Sequence, residues 1–172
     1  MAWYLLMSKL MSWSYFPIVA LLSLALAGCD DASSPTAPTA DPLTPEVRAA
    51  LDRSLQDEYR AETIYQGVVN DLGQILPFVN VLTAEQRHSA SLAQLYSRRG
   101  LVAPGSQWTL GTVPHFNTVP AACGAAVTAE RENIAMYDVL LRLTLPTDVR
   151  QVFDNNRSAS LLNHLPAFER CS

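Results

Sequence analysis

Residues 84–90 read AEQRHSA, and this stretch places Glu85 and His88 on the stripe of a helix where apolar side chains belong. The apolar residues of that stripe follow helical spacing: Phe78, Leu82, Leu92 and Leu95. An isolated carboxylate is almost never buried, because removing its charge from water costs several kcal/mol or more. A single polar residue on an apolar stripe is explained by a helix face that turns toward solvent. Whether Glu85 and His88 indicate a site therefore depends on what the other helices carry at their own apolar stripes.

Three further helices are predicted from caps and from periodic apolar residues. The first begins with Thr44 as a hydroxyl N-cap and Pro45 at the first helical position, and Gly73 ends it. Pro146 separates the third helix from the fourth. The four predicted helices span residues 44–72, about 76–99, about 120–145 and about 148–171, and residues 101–119 form a long crossover.

This order of short, long and short connections predicts an all-α fold, a four-helix bundle of two antiparallel hairpins joined by one crossover. In an antiparallel hairpin, the start of the third helix lies beside the end of the fourth. Cys123 and Cys171 occupy those two places. We therefore expect a disulfide between them that stabilises the fold by ~3–4 kcal/mol; two buried or free thiols are the alternative.

Acidic residues or histidines fall on the apolar stripes of all four helices. They are Glu58 and Glu62 on the first helix, Glu85 and His88 on the second, Glu130 on the third and His164 on the fourth. One cation shared between the helices would compensate several of these buried charges, which makes an inter-helix metal site the simplest explanation. Carboxylate oxygens combined with a few imidazoles suit iron or manganese.

The first and third helices also repeat one pattern, a Glu followed seven residues later by a Tyr. It reads EYRAETIY at 58–65 and ERENIAMY at 130–137. EYRAETIY and AEQRH (84–88) resemble the first-helix and second-helix ligand motifs of the ferritin-like superfamily. GAAVTAERENI (124–134) and NHLPAF (163–168) are similar to a prokaryotic ferritin-like branch whose biochemical role is unassigned. The resemblance covers nearly the whole predicted domain and implies a ferritin-like bundle.

The resemblance also implies a ligand set for two iron or manganese ions. Glu58 would be the first-helix ligand, Glu85 a bridging carboxylate, and His88 the imidazole on one metal. Glu130 would be the third-helix ligand, and His164 the imidazole on the second metal. The implied hydrogen-bond donors to these carboxylates are Tyr65 and Tyr137.

The fourth helix departs from the family pattern. A full di-iron site needs a Glu three residues before His164, but Leu161 stands there. Glu62 is a candidate substitute carboxylate, and its alternative role is a structural acid paired with an Arg. His164 has an alternative role too, as a histidine favoured by the dipole at a helix C-terminus. Pro166 disfavours helix at Leu165, so we expect a distorted turn around His164.

The first 28 residues are typical of a bacterial lipoprotein signal peptide. Lys9 precedes an apolar run from Phe16 to Ala27, which suits a signal-peptide core but is too short to span a bilayer. The run ends in Leu26-Ala27-Gly28-Cys29, which closely resembles a lipobox, so Cys29 is the predicted lipidation site. The alternative is an uncleaved membrane anchor with an incidental cysteine.

Residues 29–43 are rich in Ser, Thr, Pro and Ala and predict a tether, which leaves 44–172 as the folded domain. After Cys29, the sixteen acidic residues outnumber the eleven Arg by five, and this charge argues against nucleic-acid binding. The expected partners are metal ions and the membrane, reached through the N-terminal lipid, and a homodimer is a further possibility. The expected location is the cell envelope, on the periplasmic or other extracytoplasmic side.

Three functions are compatible with these observations. The first is a lipid-anchored ferritin-like protein with an iron or manganese site and ferroxidase-type or other oxidoreductase chemistry. The second is a module that binds one metal without turnover, which the incomplete fourth-helix motif favours. The third is a structural bundle with an internal polar network. No residue is assigned a catalytic role from the sequence.

Overall fold

The computed structural model describes residues 40–172, which contain helices and irregular segments and no strand. The helices are α1 (Pro45–Leu72), α2 (Phe78–Ser97), α3 (Val119–Leu140), α4 (Thr147–Ala159) and α5 (Leu165–Glu169). A π-helical turn, Ser160–His164, joins α4 to α5 without a break, and a short 3-10 turn spans Leu110–Thr112. The predicted signal peptide, the lipidation site at Cys29 and the tether up to residue 39 lie outside the described residues.

The result is an all-helical bundle, as the sequence predicts at that level. Four rods pack together: α1, α2, α3 and the continuous segment Thr147–Glu169, called here the C-terminal segment. α1 packs chiefly on α2, its hairpin partner, while α3 packs on the C-terminal segment. Further contacts between α1 and α3, and between α2 and α4, join the two hairpins into one core.

The ends of the first and third helices follow from local chemistry. The Thr44 hydroxyl accepts a hydrogen bond from the Val47 backbone N–H at 3.2 Å, as its predicted role as N-cap requires. α3 ends at Leu140, so the predicted continuation to residue 145 is wrong. The Arg150 guanidinium donates to the carbonyls of Leu141 and Leu143, both at 3.0 Å, and satisfies the backbone there without further helical turns.

The C-terminal segment is distorted near His164, as the sequence predicts, but in a form that the sequence does not specify. Leu165 is itself helical, with φ −53° and ψ −52°, and its N–H donates to the carbonyl of Ser160, five residues earlier. This wider turn inserts one residue into the helical register. Turns of this kind are often found at functional sites.

Apolar side chains form two clusters, one toward each end of the bundle. One cluster contains Leu51, Leu55, Leu92, Leu95, Tyr96, Met136 and Phe153 among its buried members. The other contains Ile64, Tyr65, Val68, Phe78, Ala126 and Phe168. On α1, the buried Glu58 lies between the parts that supply the two clusters, so a polar layer crosses the middle of the core.

Two tertiary links hold the bundle and the crossover together. Cys123 and Cys171 form the predicted disulfide, with their Cα atoms 5.7 Å apart. Trp108 in the crossover donates from its indole N–H to the Gln56 carbonyl at 2.9 Å. Within residues 40–172, no helix is both long enough and apolar enough to cross a membrane.

Candidate metal centre

The polar layer brings together five of the predicted site residues, and each of the four rods supplies at least one of them. Glu58, Glu85, Glu130 and His164 are all buried, with at most 4 % of each residue exposed. The His88 side chain is 12 % exposed. A charged or ionisable group is found this deep in a protein only when partners or a metal compensate it.

The five residues form two halves that share Glu85. In the His88 half, the Nδ1 atom of His88 lies 2.9 Å from Glu85 Oε2 and 3.4 Å from Glu58 Oε2. In the His164 half, the Nδ1 atom of His164 lies 3.0 Å from Glu85 Oε1 and 3.5 Å from Glu130 Oε2. Each oxygen of Glu85 therefore faces a different imidazole, as a bridging carboxylate would.

The two imidazole rings are stacked across this bridge. Their centroids lie 5.3 Å apart, with 24° between the ring planes. One ligand atom from each of Glu85, His88 and His164 falls within 4.8 Å of the others. These three residues have the geometry needed to share a metal ion.

Three atoms at the centre have charged neighbours at 3.0–3.5 Å but lack the geometry of a hydrogen bond. Glu58 Oε2, Glu130 Oε2 and His164 Nδ1 are buried and have no hydrogen-bond partner among the described residues. A buried polar atom without a partner costs about 1–3 kcal/mol. Two carboxylate oxygens and one ring nitrogen in this state, directed into one region, fit a bound cation better than a closed hydrogen-bond network.

Two tyrosines fix the outer oxygens of the carboxylates. Tyr65 on α1 donates to Glu130 Oε1 on α3 at 2.7 Å, and Tyr137 on α3 donates to Glu58 Oε1 on α1 at 2.5 Å. The repeated pattern of Glu and Tyr therefore corresponds to a crossed pair of hydrogen bonds between the two helices. Each Glu keeps its Oε2 atom directed toward an imidazole.

The carboxylates and imidazoles of the centre shift one another's pKa values. Burial would lower the pKa of His88, but the adjacent Glu58 and Glu85 outweigh it and raise that pKa to about 10. The pKa of His164 rises to about 9, because Glu130 and Glu85 outweigh burial there too. Burial, followed by repulsion from Glu85, raises the pKa of Glu58 to about 7. At neutral pH, protons on the imidazoles compensate the carboxylates in the metal-free protein, and a cation must displace them.

The fourth-helix position differs from the sequence interpretation. Ser160 follows the buried residues Phe153 and Asn156 at helical spacing and is 1 % exposed, whereas Leu161 is 37 % exposed. Ser160, and not Leu161, therefore occupies the inward position at which the family pattern needs a fourth-helix carboxylate. Its hydroxyl donates to Asn133 Oδ1 at 2.9 Å, and Asn133 in turn donates to Asp57 Oδ2 at 2.8 Å.

These neutral groups form a network that the sequence interpretation did not include. Asn156 donates to the Tyr137 hydroxyl at 3.2 Å, and Asn133 also lies 3.4 Å from Glu58 Oε1. One signal for Asn133 was present in the sequence, since it lies three residues after Glu130 on the same face of α3. Asn156 and Ser160 lie on the inner side of the C-terminal segment, three and seven residues after the buried Phe153, which is ordinary helical spacing.

Glu62 lies beside the centre but outside the set of closest contacts. Within residues 40–172 it forms no ion pair with an Arg, so the structure does not show the structural pairing considered for it. Glu62 as a whole is partly exposed, although its Oε1 atom is buried and without a hydrogen-bond partner. Burial raises the pKa of its carboxyl group. No imidazole nitrogen is paired with it.

Comparison with known proteins supports the fold and leaves the chemistry open. No protein-family model and no curated protein matches the chain. The hypothetical protein MJ0754 from Methanococcus jannaschii is structurally similar, with a TM-score of 0.67 and 20 % identity over 78 % of this chain and 84 % of that one. The conserved hypothetical protein rv2844 from Mycobacterium tuberculosis has a TM-score of 0.62 and 17 % identity over 75 % and 98 %.

Proposed function

We propose that this chain is a ferritin-like protein whose polar layer holds a two-metal centre, of iron or manganese, that reacts with dioxygen or peroxide. The observation that carries the proposal is the set of buried, unpartnered atoms described above. These are Glu58 Oε2, Glu130 Oε2 and His164 Nδ1, around the shared carboxylate of Glu85. The sequence resemblance to ferritin-like ligand motifs supports the same assignment.

The donor set fits two cations. Each half offers one imidazole, one carboxylate of its own and one oxygen of Glu85. Three carboxylates and two imidazoles are ligands that iron and manganese accept. When bound, either metal supplies redox chemistry toward dioxygen or peroxide.

The chain's own groups hold and shield such a centre. Tyr65 and Tyr137 fix the orientation of Glu130 and Glu58 through the crossed hydrogen bonds. The two apolar clusters exclude water from above and below the polar layer. His88 is the most exposed of the five residues and lies on the side where small molecules can approach.

Metal analysis of the purified protein tests this proposal. We expect two equivalents of iron per chain after anaerobic loading, followed by oxidation when dioxygen is admitted. Stoichiometric iron(II) oxidation, measured by absorbance and by oxygen uptake, would support an oxidoreductase. A protein that takes up no iron or manganese under any loading condition would overturn the two-metal centre.

A second candidate function has an observation of its own. Ser160 replaces the fourth-helix carboxylate, and the ligand atoms of Glu85, His88 and His164 alone are close enough to hold one ion. This arrangement favours a non-catalytic protein that binds a single metal. One tightly bound equivalent that does not change oxidation state in air would identify this function.

We also propose that the domain is held at a membrane of the cell envelope by lipid on Cys29. The lipobox-like sequence before Cys29 supports this placement, and a disulfide in the domain suits an oxidising compartment. Cells grown with radiolabelled palmitate should label the wild-type chain and leave Cys29→Ser unlabelled. Equal labelling of the two chains would exclude Cys29 as the lipidation site.

A further inference from the structure

A cavity of about 740 Å³ lies between α2 and the C-terminal segment. One helical face of α2 contributes Asn80, Val81, Ala84, Arg87 and His88. The opposite wall contains Ala159, Asn163, His164, Ala167 and Arg170. Binding sites for small molecules typically have volumes of about 300–1,000 Å³, so this cavity has the size of such a site.

The cavity has a defined inner end and outer end. His88 and His164 lie at the inner end, where the cavity meets the proposed metal centre. Leu76 and Cys171 lie at the outer end, beyond the start of α2. From Asn80 to His88 the α2 wall alone extends for ~12 Å, at 1.5 Å per helical residue. The cavity is therefore elongated along α2, with the two imidazoles near its inner end and Ala159 just beyond them.

The middle of the cavity is apolar. Val81 and Ala84 line one wall, Ala167 lines the other, and Ala159 adds apolar surface at the inner end. Leu76, at the outer end, is 68 % exposed. A molecule with an apolar body would cover these surfaces and remove them from water.

Two arginines give the cavity a positive charge. Arg87 and Arg170 both line it, and within residues 40–172 neither forms an ion pair or a hydrogen bond through its side chain. Four other arginines of the same range do form ion pairs with acidic side chains: Arg60, Arg99, Arg131 and Arg157. In a chain with a net charge of −4, two unpaired guanidinium groups at one cavity provide charge complementarity for an anion.

We propose that this cavity binds a small amphipathic carboxylate, with its apolar body between α2 and the C-terminal segment and its carboxylate on Arg87 and Arg170. The guanidinium group suits a carboxylate because its N–H donors match the two oxygens. Binding depends on the cavity alone and is independent of the metal. Only the role of the bound molecule as a substrate rests on the proposed function, because it would lie beside His88 and His164.

Decanoate and decan-1-ol are suitable probes, because they share one alkyl chain and differ in charge. Titrations would use the purified metal-free protein. We expect Arg87→Gln combined with Arg170→Gln to weaken decanoate binding by about tenfold or more, since hydrogen bonds to charged groups are lost. Binding of decan-1-ol should not change. Arg53→Gln, an exposed arginine of α1 outside the cavity, is the matched control and should bind both probes as the wild type does.

The position of the ligand has its own test. Ala167→Leu fills the cavity and should weaken the binding of both probes, and ring signals of His88 and His164 in NMR spectra should shift when decanoate is added. Decanoate binding that is absent, or equal in the double Arg variant and the control, would overturn the proposal. Metal content measured on the same preparations separates the two claims: a protein that binds decanoate but no metal contradicts only the proposed function.

Discussion

The His88 half and the His164 half of the centre are built on equivalent parts of the two hairpins, yet only the His88 half has the shared carboxylate, Glu85, on the same helix as its imidazole. α1 and α3 contribute in the same way, through Glu58 and Glu130, each held by a tyrosine from the other helix. α2 and the C-terminal segment do not. α2 supplies both a carboxylate and an imidazole one turn apart, whereas the C-terminal segment supplies only His164.

The missing carboxylate is replaced by a neutral hydrogen bond between Ser160 and Asn133. The His164 half therefore depends on Glu85, which belongs to α2, for its second carboxylate oxygen. If the centre holds two metals as we propose, this dependence should make the two positions unequal. The His88 half should bind tightly, and the His164 half more weakly.

The largest expected effect comes from the residue that both halves share. Glu85→Gln removes one charge that faces both imidazoles and should weaken metal binding at both positions by more than about a hundredfold. The metal-free variant should lose stability, because Glu85 is the charged partner of both imidazoles and its substitution leaves them less compensated. Titrations followed by elemental analysis measure the effect. Glu132→Gln, an exposed acid of α3, is the control and should bind as the wild type does. Retention of one full equivalent in Glu85→Gln would contradict the shared role.

Substitution of the two histidines should give unequal results. His88→Ala removes the imidazole of the tighter half and should reduce the highest affinity by about a hundredfold. His164→Ala should abolish the weaker equivalent and leave one tightly bound ion. Equilibrium dialysis across a range of metal concentrations resolves the two equivalents. Identical losses in the two variants would mean that the halves are equivalent, or that only one ion binds between them.

Much of the fold was predictable because its signals are local. Thr44, Pro45 and Gly73 mark the ends of α1 independently of the rest of the chain. Helical periods place the acidic residues and histidines of the centre on inner faces: Glu58, Glu85, Glu130, His88 and His164. The disulfide followed from helix order. The π turn did not, because periodic analysis assumes 3.6 residues per turn, and the family pattern, which needs a Glu three residues before His164, pointed to Leu161 and not to Ser160. The end of α3 also depends on a distant group, the Arg150 side chain.

The tyrosines test whether the crossed hydrogen bonds serve the two halves separately. Tyr137→Phe should weaken binding in the His88 half, and Tyr65→Phe in the His164 half, each by about tenfold, because each Glu loses the donor that orients it. Tyr96→Phe is the matched control, since the Tyr96 hydroxyl donates to Asp52 at 2.5 Å, away from the centre. Equal effects on both equivalents in either variant would show that the hydrogen bonds act on the bundle as a whole.

An added carboxylate should make the two halves more alike. Ser160→Asp places a charge at the inward position of the π turn and should strengthen metal binding in the His164 half by about tenfold, through one additional charged ligand. Leu161→Asp is the matched control, because residue 161 faces partly outward and should leave affinity unchanged. The affinities are compared by dialysis. A gain in Leu161→Asp with none in Ser160→Asp would show that residue 161, and not residue 160, faces the centre.

The smallest expected difference between the halves is in the pKa values of their two histidines. In the metal-free protein, His164 and His88 should titrate in NMR spectra near pH 9 and pH 10. Both values exceed 6.5, the ordinary pKa of histidine, so the stability that these histidines contribute is complete below pH 6.5 and is lost as the pH rises through 9 to 10. Glu58, with its pKa raised to about 7, adds an earlier loss between pH 4.5 and 7.

The free energy of unfolding of the metal-free protein should therefore fall as the pH rises from 4.5 to 10. Metal binding should strengthen over the same range, because each imidazole must release its proton before it can bind. Denaturant titrations of the two forms measure these opposite trends. Metal-free protein that gains stability between pH 7 and 10 would show that the imidazoles are neutral, and the carboxylates would then need compensation from elsewhere in the polar layer.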